Sequence, residues 1–179
     1  MKKLAFAAAA IAVLAVPASA ELPVGSKAPL FATQAALGGK AFAFNLRSAL
    51  AKGPVVLYFY PKAFTQGCTL EAHEFAEATA DFKAAGATVI GMSNDDIETL
   101  KRFSTEECRD KFAVAAATPQ IVDAYEAALV RNGKDTGLTE RTSYVIDRRG
   151  RIVFVHSDLD YKDHVRLALA AVKRLKRAH

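Results

Sequence analysis

Cysteine is the scarcest chemically active residue in this chain, with two among 179 residues. Two thiols allow a single intramolecular bridge, so a disulfide-stapled scaffold is excluded. No Cys-x-x-Cys pair occurs: Cys68 is followed by Thr69, Leu70 and Glu71. That absence argues against a dithiol oxidoreductase motif. Beyond the first twenty residues no stretch approaches the roughly 20 apolar residues that a membrane span needs. There is also no repeat, no low-complexity tract and no Pro/Gly/Ser linker, which leaves one domain from about Pro23 to Ala178. Basic residues are not interleaved with aromatic ones as on a nucleic-acid surface, so no nucleic-acid partner is expected.

The segment 1–20 has a character of its own. Lys2 and Lys3 precede an uncharged apolar block from Leu4 to Val16, and Ala18-Ser19-Ala20 offers small residues for cleavage. This is the pattern of a secretory signal peptide. The expected mature chain is therefore 21–179, exported and soluble, with a Gram-negative periplasm as the expected destination. Loss of the two lysines takes the formal charge from +5 to +3. The remaining basic excess concentrates in KRLKRAH at the C-terminus, read as a solvated helix end, where cations suit the dipole.

Strand and helix patterns alternate along the rest. Gly38-Gly39 reads as a turn between two short extended pieces. Pro54–Tyr60 is a continuous apolar run, the signature of a strand buried on both faces. A helix from about Gly67 to Ala84 follows, stopped by Gly86, and then a second buried strand over 87–93. Asn94 or Asp95 is placed to cap a helix running to about Arg109. Residues 112–117 read as a short edge strand, and Thr118-Pro119 opens another short helix. Ser143–Asp147 and Arg151–His156 form a hairpin around Arg148-Arg149-Gly150, and Tyr161–Arg177 closes the chain as an amphipathic helix. The series predicts an α/β fold, a mixed central sheet with helices on both faces and an N-terminal extension, in a thioredoxin-like layout.

Cys68 sits in the first turn of the helix after the buried strand. Free backbone N–H groups and the helix dipole favour an anion there, and the thiolate is the reactive form of cysteine. Cys68, Ala72, Phe75, Thr79 and Phe82 follow helical spacing, which puts Cys68 at the top of the inward stripe. Thr65 is placed to cap the helix and to offer its hydroxyl near the sulfur. Pro61 ends the strand and stiffens the corner. On these residues alone, Cys68 reads either as half of a structural disulfide or as a nucleophile at a strand-to-helix corner.

Pro61, Thr65 and Cys68 match the Pro-x-x-x-Thr-x-x-Cys signature of peroxiredoxins, and YFYPKAFTQGCTLEAHEF (Tyr58–Phe75) resembles their Q-type, bacterioferritin comigratory protein-like branch. ERTSYVID (Glu140–Asp147) resembles the segment that carries the family's active-site arginine, here Arg141. The resemblance implies a thiol-dependent peroxidase. Cys68 would attack the distal oxygen of a peroxide and become a sulfenic acid. Arg141 and Thr65 would hold the peroxide oxygens, and Glu71 would orient Arg141. The resemblance implies no cofactor and no metal, a thioredoxin-like or other thiol reductant as partner, and a monomer or weak dimer.

Three positions depart from the branch's common pattern. Gln66 stands where proline is frequent, and Ala63 where an acidic residue often sits. His73 stands where many members keep a resolving cysteine. The remaining candidate is Cys108, which shares a face with Ile97, Leu100 and Ser104 and is expected to trap the Cys68 sulfenic acid after local unfolding. The competing reading is a non-catalytic thioredoxin-fold binding or metal-delivery module with a structural Cys68–Cys108 disulfide. Metal delivery on Cys68 and His73 lacks the paired cysteines that copper carriers of that fold present. His156, His164 and His179 read as surface residues.

Overall fold

The computed structural model describes residues 21–177. The expected signal segment 1–20 and His179 lie outside the described residues. Strands β1 (Ala32–Leu37) and β2 (Lys40–Asn45) form the N-terminal hairpin, turned through Gly38 and Gly39, both at positive φ. Helix α1 (Leu46–Lys52) starts at Asn45, whose side chain accepts from the Ser48 N–H at 3.0 Å. Strand β3 (Val55–Phe59) leads through a short loop into α2 (Gln66–Ala84). The chain then forms β4 (Thr88–Ser93), α3 (Ile97–Glu106), β5 (Ala113–Ala116), α4 (Pro119–Ala124), β6 (Ala128–Arg131) and β7 (Lys134–Thr139). Strands β8 (Thr142–Ile146) and β9 (Ile152–Ser157) complete the hairpin expected around Arg148-Arg149-Gly150, and a 3-10 turn precedes α5 (His164–Arg177).

Seven strands form one mixed sheet in the order β2-β1-β5-β4-β3-β8-β9, and β6-β7 stand apart as a two-stranded hairpin. β3 pairs parallel with β4 and antiparallel with β8, so both its edges are used. Its residues alternate between two cores. Val56, Tyr58 and then Tyr60 face the cluster shared with α2, α3 and α5, whereas Val55, Leu57 and Phe59 face the cluster shared with α1 and α4. That explains the uninterrupted apolar run: each face of the strand meets its own hydrophobic layer. The architecture is the thioredoxin-like α/β fold.

Three expectations about elements change. β5 is an interior strand, because β1 returns to pair with its outer edge (Ala35↔Ala115, Ala36↔Val114). α3 is capped by Asp96, which accepts from the Thr99 N–H at 2.8 Å, not by Asn94 or Asp95, and it ends at Glu106 rather than Arg109. α1 and the β6–β7 hairpin were not anticipated. The basic C-terminal helix end is docked as well as solvated: Lys176 Nζ donates to the Ala84 carbonyl at 2.8 Å, and Lys173 pairs with Asp81. No described helix is long and apolar enough to cross a membrane.

Candidate active site

The site is built where β3 stops and α2 begins. Pro61 follows the strand, and the loop over 61–65 is held from two sides. The Ala63 N–H donates to Asp95 Oδ2 at 2.7 Å, and Ser93 Oγ donates to the same oxygen at 2.8 Å. Thr139 Oγ1 donates to the Tyr60 carbonyl at 2.7 Å. Asp95, expected as a helix cap, thus ties the loop to the end of β4. A backbone N–H in a partly buried loop is a stronger claimant than a solvated helix end. Phe64 takes a left-handed φ of 63°, which lays its ring edge-on against Phe103 (centroids 5.2 Å apart) and 5.1 Å from the Arg102 guanidinium carbon.

Thr65 occupies the cap position of α2 with extended backbone, but its side chain does not cap. Its hydroxyl donates to the Lys62 carbonyl at 2.9 Å, inside the loop. Cys68 is the third residue of α2 and 2% exposed; Ala72, Phe75, Thr79 and Phe82 continue the same buried stripe, as their spacing requires.

Arg141 reaches the sulfur from the other side. β8 pairs with β3 through Phe59↔Thr142, so the residue just before β8 stands beside the end of β3. Three of its nitrogens are assigned. Nε donates to the Leu159 carbonyl at 2.9 Å, Nη1 to Glu71 Oε2, and Nη2 to Cys68 Sγ at 3.5 Å. The planar fork of the guanidinium makes these three directions compatible at once. Burial opposes its charge, but Glu71 and Cys68 outweigh that and raise Arg141 above its ordinary value. Gly67 permits the approach, since a Cβ there would stand 3.2 Å from Arg141 Nη2.

Glu71 is wholly buried, and burial pushes its carboxyl up to about 8 against the pull of Arg141. Its second oxygen, Oε1, has no hydrogen-bond partner and lies 3.8 Å from His164 Nδ1. His164 corrects the reading of a surface histidine. It is fully buried at the start of α5, with Nε2 2.9 Å from the Asp158 carbonyl and Nδ1 2.8 Å from Ser143 Oγ. A carbonyl only accepts, so Nε2 carries the proton and neutral Nδ1 accepts from Ser143. Burial, with a smaller push from His156 and Arg141, lowers His164 to about 4. The ring of half-buried His156 lies 4.6 Å from that of His164, centroid to centroid. Sequence periodicity carries no signal for this polar layer behind the arginine, because its partners come from β8, the loop after β9 and α5.

Cys108 lies just after α3, wholly buried in the same core cluster as Cys68. Burial first, then Glu107 and Asp110, push its thiol well above the ordinary cysteine value. The two cysteines are separate free thiols in this structure, not a disulfide. His73 is partly exposed on α2, with Nε2 2.7 Å from Glu107 Oε2. Pro61, Thr65, Cys68, Glu71 and Arg141 therefore converge at one end of β3, while Cys108 occupies a separate seat. Among the described residues no group of three or more His, Cys, Asp or Glu side chains is arranged to hold a metal ion.

Comparison with known proteins bears on the family and the fold. The model of the AhpC/TSA family matches residues 24–155. Peroxiredoxin Bcp of Bacillus subtilis is 33% identical over 121 residues, covering 66% of this chain and 77% of that protein. Peroxiredoxin Bcp of Escherichia coli is 32% identical over 112 residues, covering 62% and 72%. Among solved structures, peroxidoxin BcpB of Mycobacterium tuberculosis superposes with a TM-score of 0.75 at 27% identity, over 85% of this chain and 97% of that one. The bacterioferritin comigratory protein of Xanthomonas campestris, described in work on its alkyl peroxide reduction activity, gives 0.71 at 27% identity, over 80% and 91%. The chain belongs to the AhpC/TSA family, among the Bcp/Q-type peroxiredoxins.

Proposed function

We propose that this peroxiredoxin is an exported peroxidase that reduces hydrogen peroxide and organic hydroperoxides at Cys68. The observation that carries the reading is the direct approach of Arg141 Nη2 to Cys68 Sγ, 3.5 Å across a buried contact, with the rest of the guanidinium fixed by Glu71 and Leu159. A cation so held gives negative charge a fixed partner, both on the sulfur and on a peroxide oxygen that approaches it.

The Cys68 thiolate forms a bond to the distal oxygen of ROOH while the O–O bond breaks. The leaving RO⁻ takes a proton and departs as water or alcohol. Cys68 is left as a sulfenic acid, oxidised by two electrons. The Thr65 hydroxyl, whose proton is committed to the Lys62 carbonyl, keeps lone pairs that would accept the O–H of an incoming peroxide. Cys108 would then attack the sulfenic sulfur, with loss of water, to form the Cys68–Cys108 disulfide. A thioredoxin-like dithiol would return both thiols and become a disulfide itself. Export rests on the Lys2/Lys3, Leu4–Val16 and Ala18-Ser19-Ala20 pattern, and a monomer or weak dimer is the proposed assembly.

Intact mass after one equivalent of hydrogen peroxide tests the scheme. The wild type should lose two hydrogens, Cys108→Ser should gain one oxygen, and Cys68→Ser should consume no peroxide. Peroxide consumption that survives in Cys68→Ser overturns the peroxidase reading, and persistent sulfenic acid in the wild type overturns the role of Cys108. N-terminal sequencing of exported protein should begin at Glu21.

A further inference from the structure

Capture by Cys108 poses a geometric problem, and the structure points to the device that controls it. His73 lies five residues after Cys68 on α2, about 7.5 Å along the axis at roughly 1.5 Å per residue. Its contact with Glu107 at 2.7 Å fixes the neighbour of Cys108 at that level. Arg109, on the other side of Cys108, pairs at 3.4 Å with Glu77, one turn further down α2. A disulfide needs Cα atoms within about 4.4–6.8 Å, so the segment carrying Cys108 has to leave both contacts before it meets Cys68.

The same segment is held in an unfavourable conformation. Arg109 and Asp110 are consecutive non-glycine residues at φ 52° and 56°. Left-handed backbone is costly for L-residues and persists where surrounding contacts impose it. Here the backbone contacts are all local: the Glu107 and Cys108 N–H groups share the Phe103 carbonyl, the Asp110 N–H donates to the Ser104 carbonyl and the Lys111 N–H to the Cys108 carbonyl.

We propose that His73 and Glu107 are positioning residues for the resolution step: a latch that holds the Cys108 segment closed against α2 and sets how often it opens toward oxidised Cys68. This rests on the peroxidase reading above. It also gives a role to His73, whose ring reaches from α2 to the residue that precedes Cys108. The side chains of His73 and Glu107 are partly exposed, 29% and 21%, so losing their contact loosens the segment while the packing around Cys108 stays in place.

The test is a rapid-quench mass time course of the reduced full chain with hydrogen peroxide, read as the interval between sulfenic acid and disulfide. His73→Ala should shorten that interval about two- to five-fold, the range of a partly exposed contact to a charged side chain. His73→Gln, whose amide still donates to Glu107, should restore the wild-type interval. Amide exchange in reduced His73→Ala should rise over residues 104–111 in particular, which general destabilisation would not produce. An unchanged or longer interval in His73→Ala removes the latch and leaves the peroxidase intact. If neither protein forms the disulfide, the resolving role of Cys108 falls and the latch with it. If no sulfenic acid forms, the peroxidase reading itself fails.

Discussion

Arg141 Nη2 donates to Cys68 Sγ across 73 positions of sequence, and the contact depends on β8 lying antiparallel beside β3. Lysine at position 141 would keep the charge but lose the fork that serves Leu159, Glu71 and Cys68 together. Arg141→Lys should therefore lower the second-order rate of peroxide consumption by about 100-fold, the usual cost of losing a preorganised donor. Stopped-flow consumption by the reduced protein checks it, and a loss under threefold would mean that charge alone suffices.

His164 should leave a signature in acid. Its folded value, about 4, lies below the ordinary 6.5, because burial disfavours the imidazolium. Between those values the unfolded chain binds more protons, so the contribution is fully present above pH 6.5 and is lost as pH falls through 4. The size is on the order of 3 kcal/mol. Urea midpoints measured from pH 7 to pH 4 should fall more steeply for the wild type than for His164→Gln. Parallel curves would show that the histidine does not titrate with unfolding.

Glu71 acts with the opposite sign. Its folded carboxyl is raised to about 8 by burial, so the folded state keeps a proton that the unfolded chain releases near 4.5. The contribution is fully present below that lower value and is lost as pH rises through 8. Glu71→Gln mimics the protonated carboxyl and still accepts from Arg141 Nη1. Its urea midpoint relative to the wild type should increase between pH 5 and pH 9. A constant difference would mean that Glu71 is ionised throughout the range.

Much of this site is legible in sequence, and the exceptions share a cause. The apolar run Pro54–Tyr60 and the stripe from Cys68 to Phe82 are local patterns and appear in the structure as read; Thr65 takes the cap position, but its hydroxyl turns to the Lys62 carbonyl instead of capping. Arg141 is found through resemblance to a family, since no local pattern separates it from a solvated loop cation. His164 was missed because its burial depends on Ser143 and Asp158 arriving from other elements. Asp95 was misassigned because Asn94, Asp95 and Asp96 are all plausible caps, and the Ala63 N–H, 32 positions away, decides between them. Nothing local to residues 112–117 separates an edge strand from an interior one, because the return of the N-terminal hairpin decides it. The β6–β7 hairpin was readable, however: Asn132-Gly133, at φ 51° and 72°, is the dipeptide that favours such a tight turn.

Gly67 separates stability from reactivity. It sits inside the first turn of α2, where alanine is the better helix former by about 1 kcal/mol. A Cβ at this position would stand 3.2 Å from Arg141 Nη2, so the guanidinium must give way by a few tenths of an ångström. Arg141 has little freedom to do so without loosening from Leu159 or Glu71, and the nitrogen displaced is the one that faces Cys68. Gly67→Ala should therefore melt at or above the wild-type temperature and yet consume peroxide several-fold more slowly. Calorimetry paired with stopped-flow kinetics checks both halves. A variant that is both stabilised and fully reactive would show that Arg141 tolerates the shift, and one that loses stability together with reactivity would place the effect in the helix rather than at the arginine.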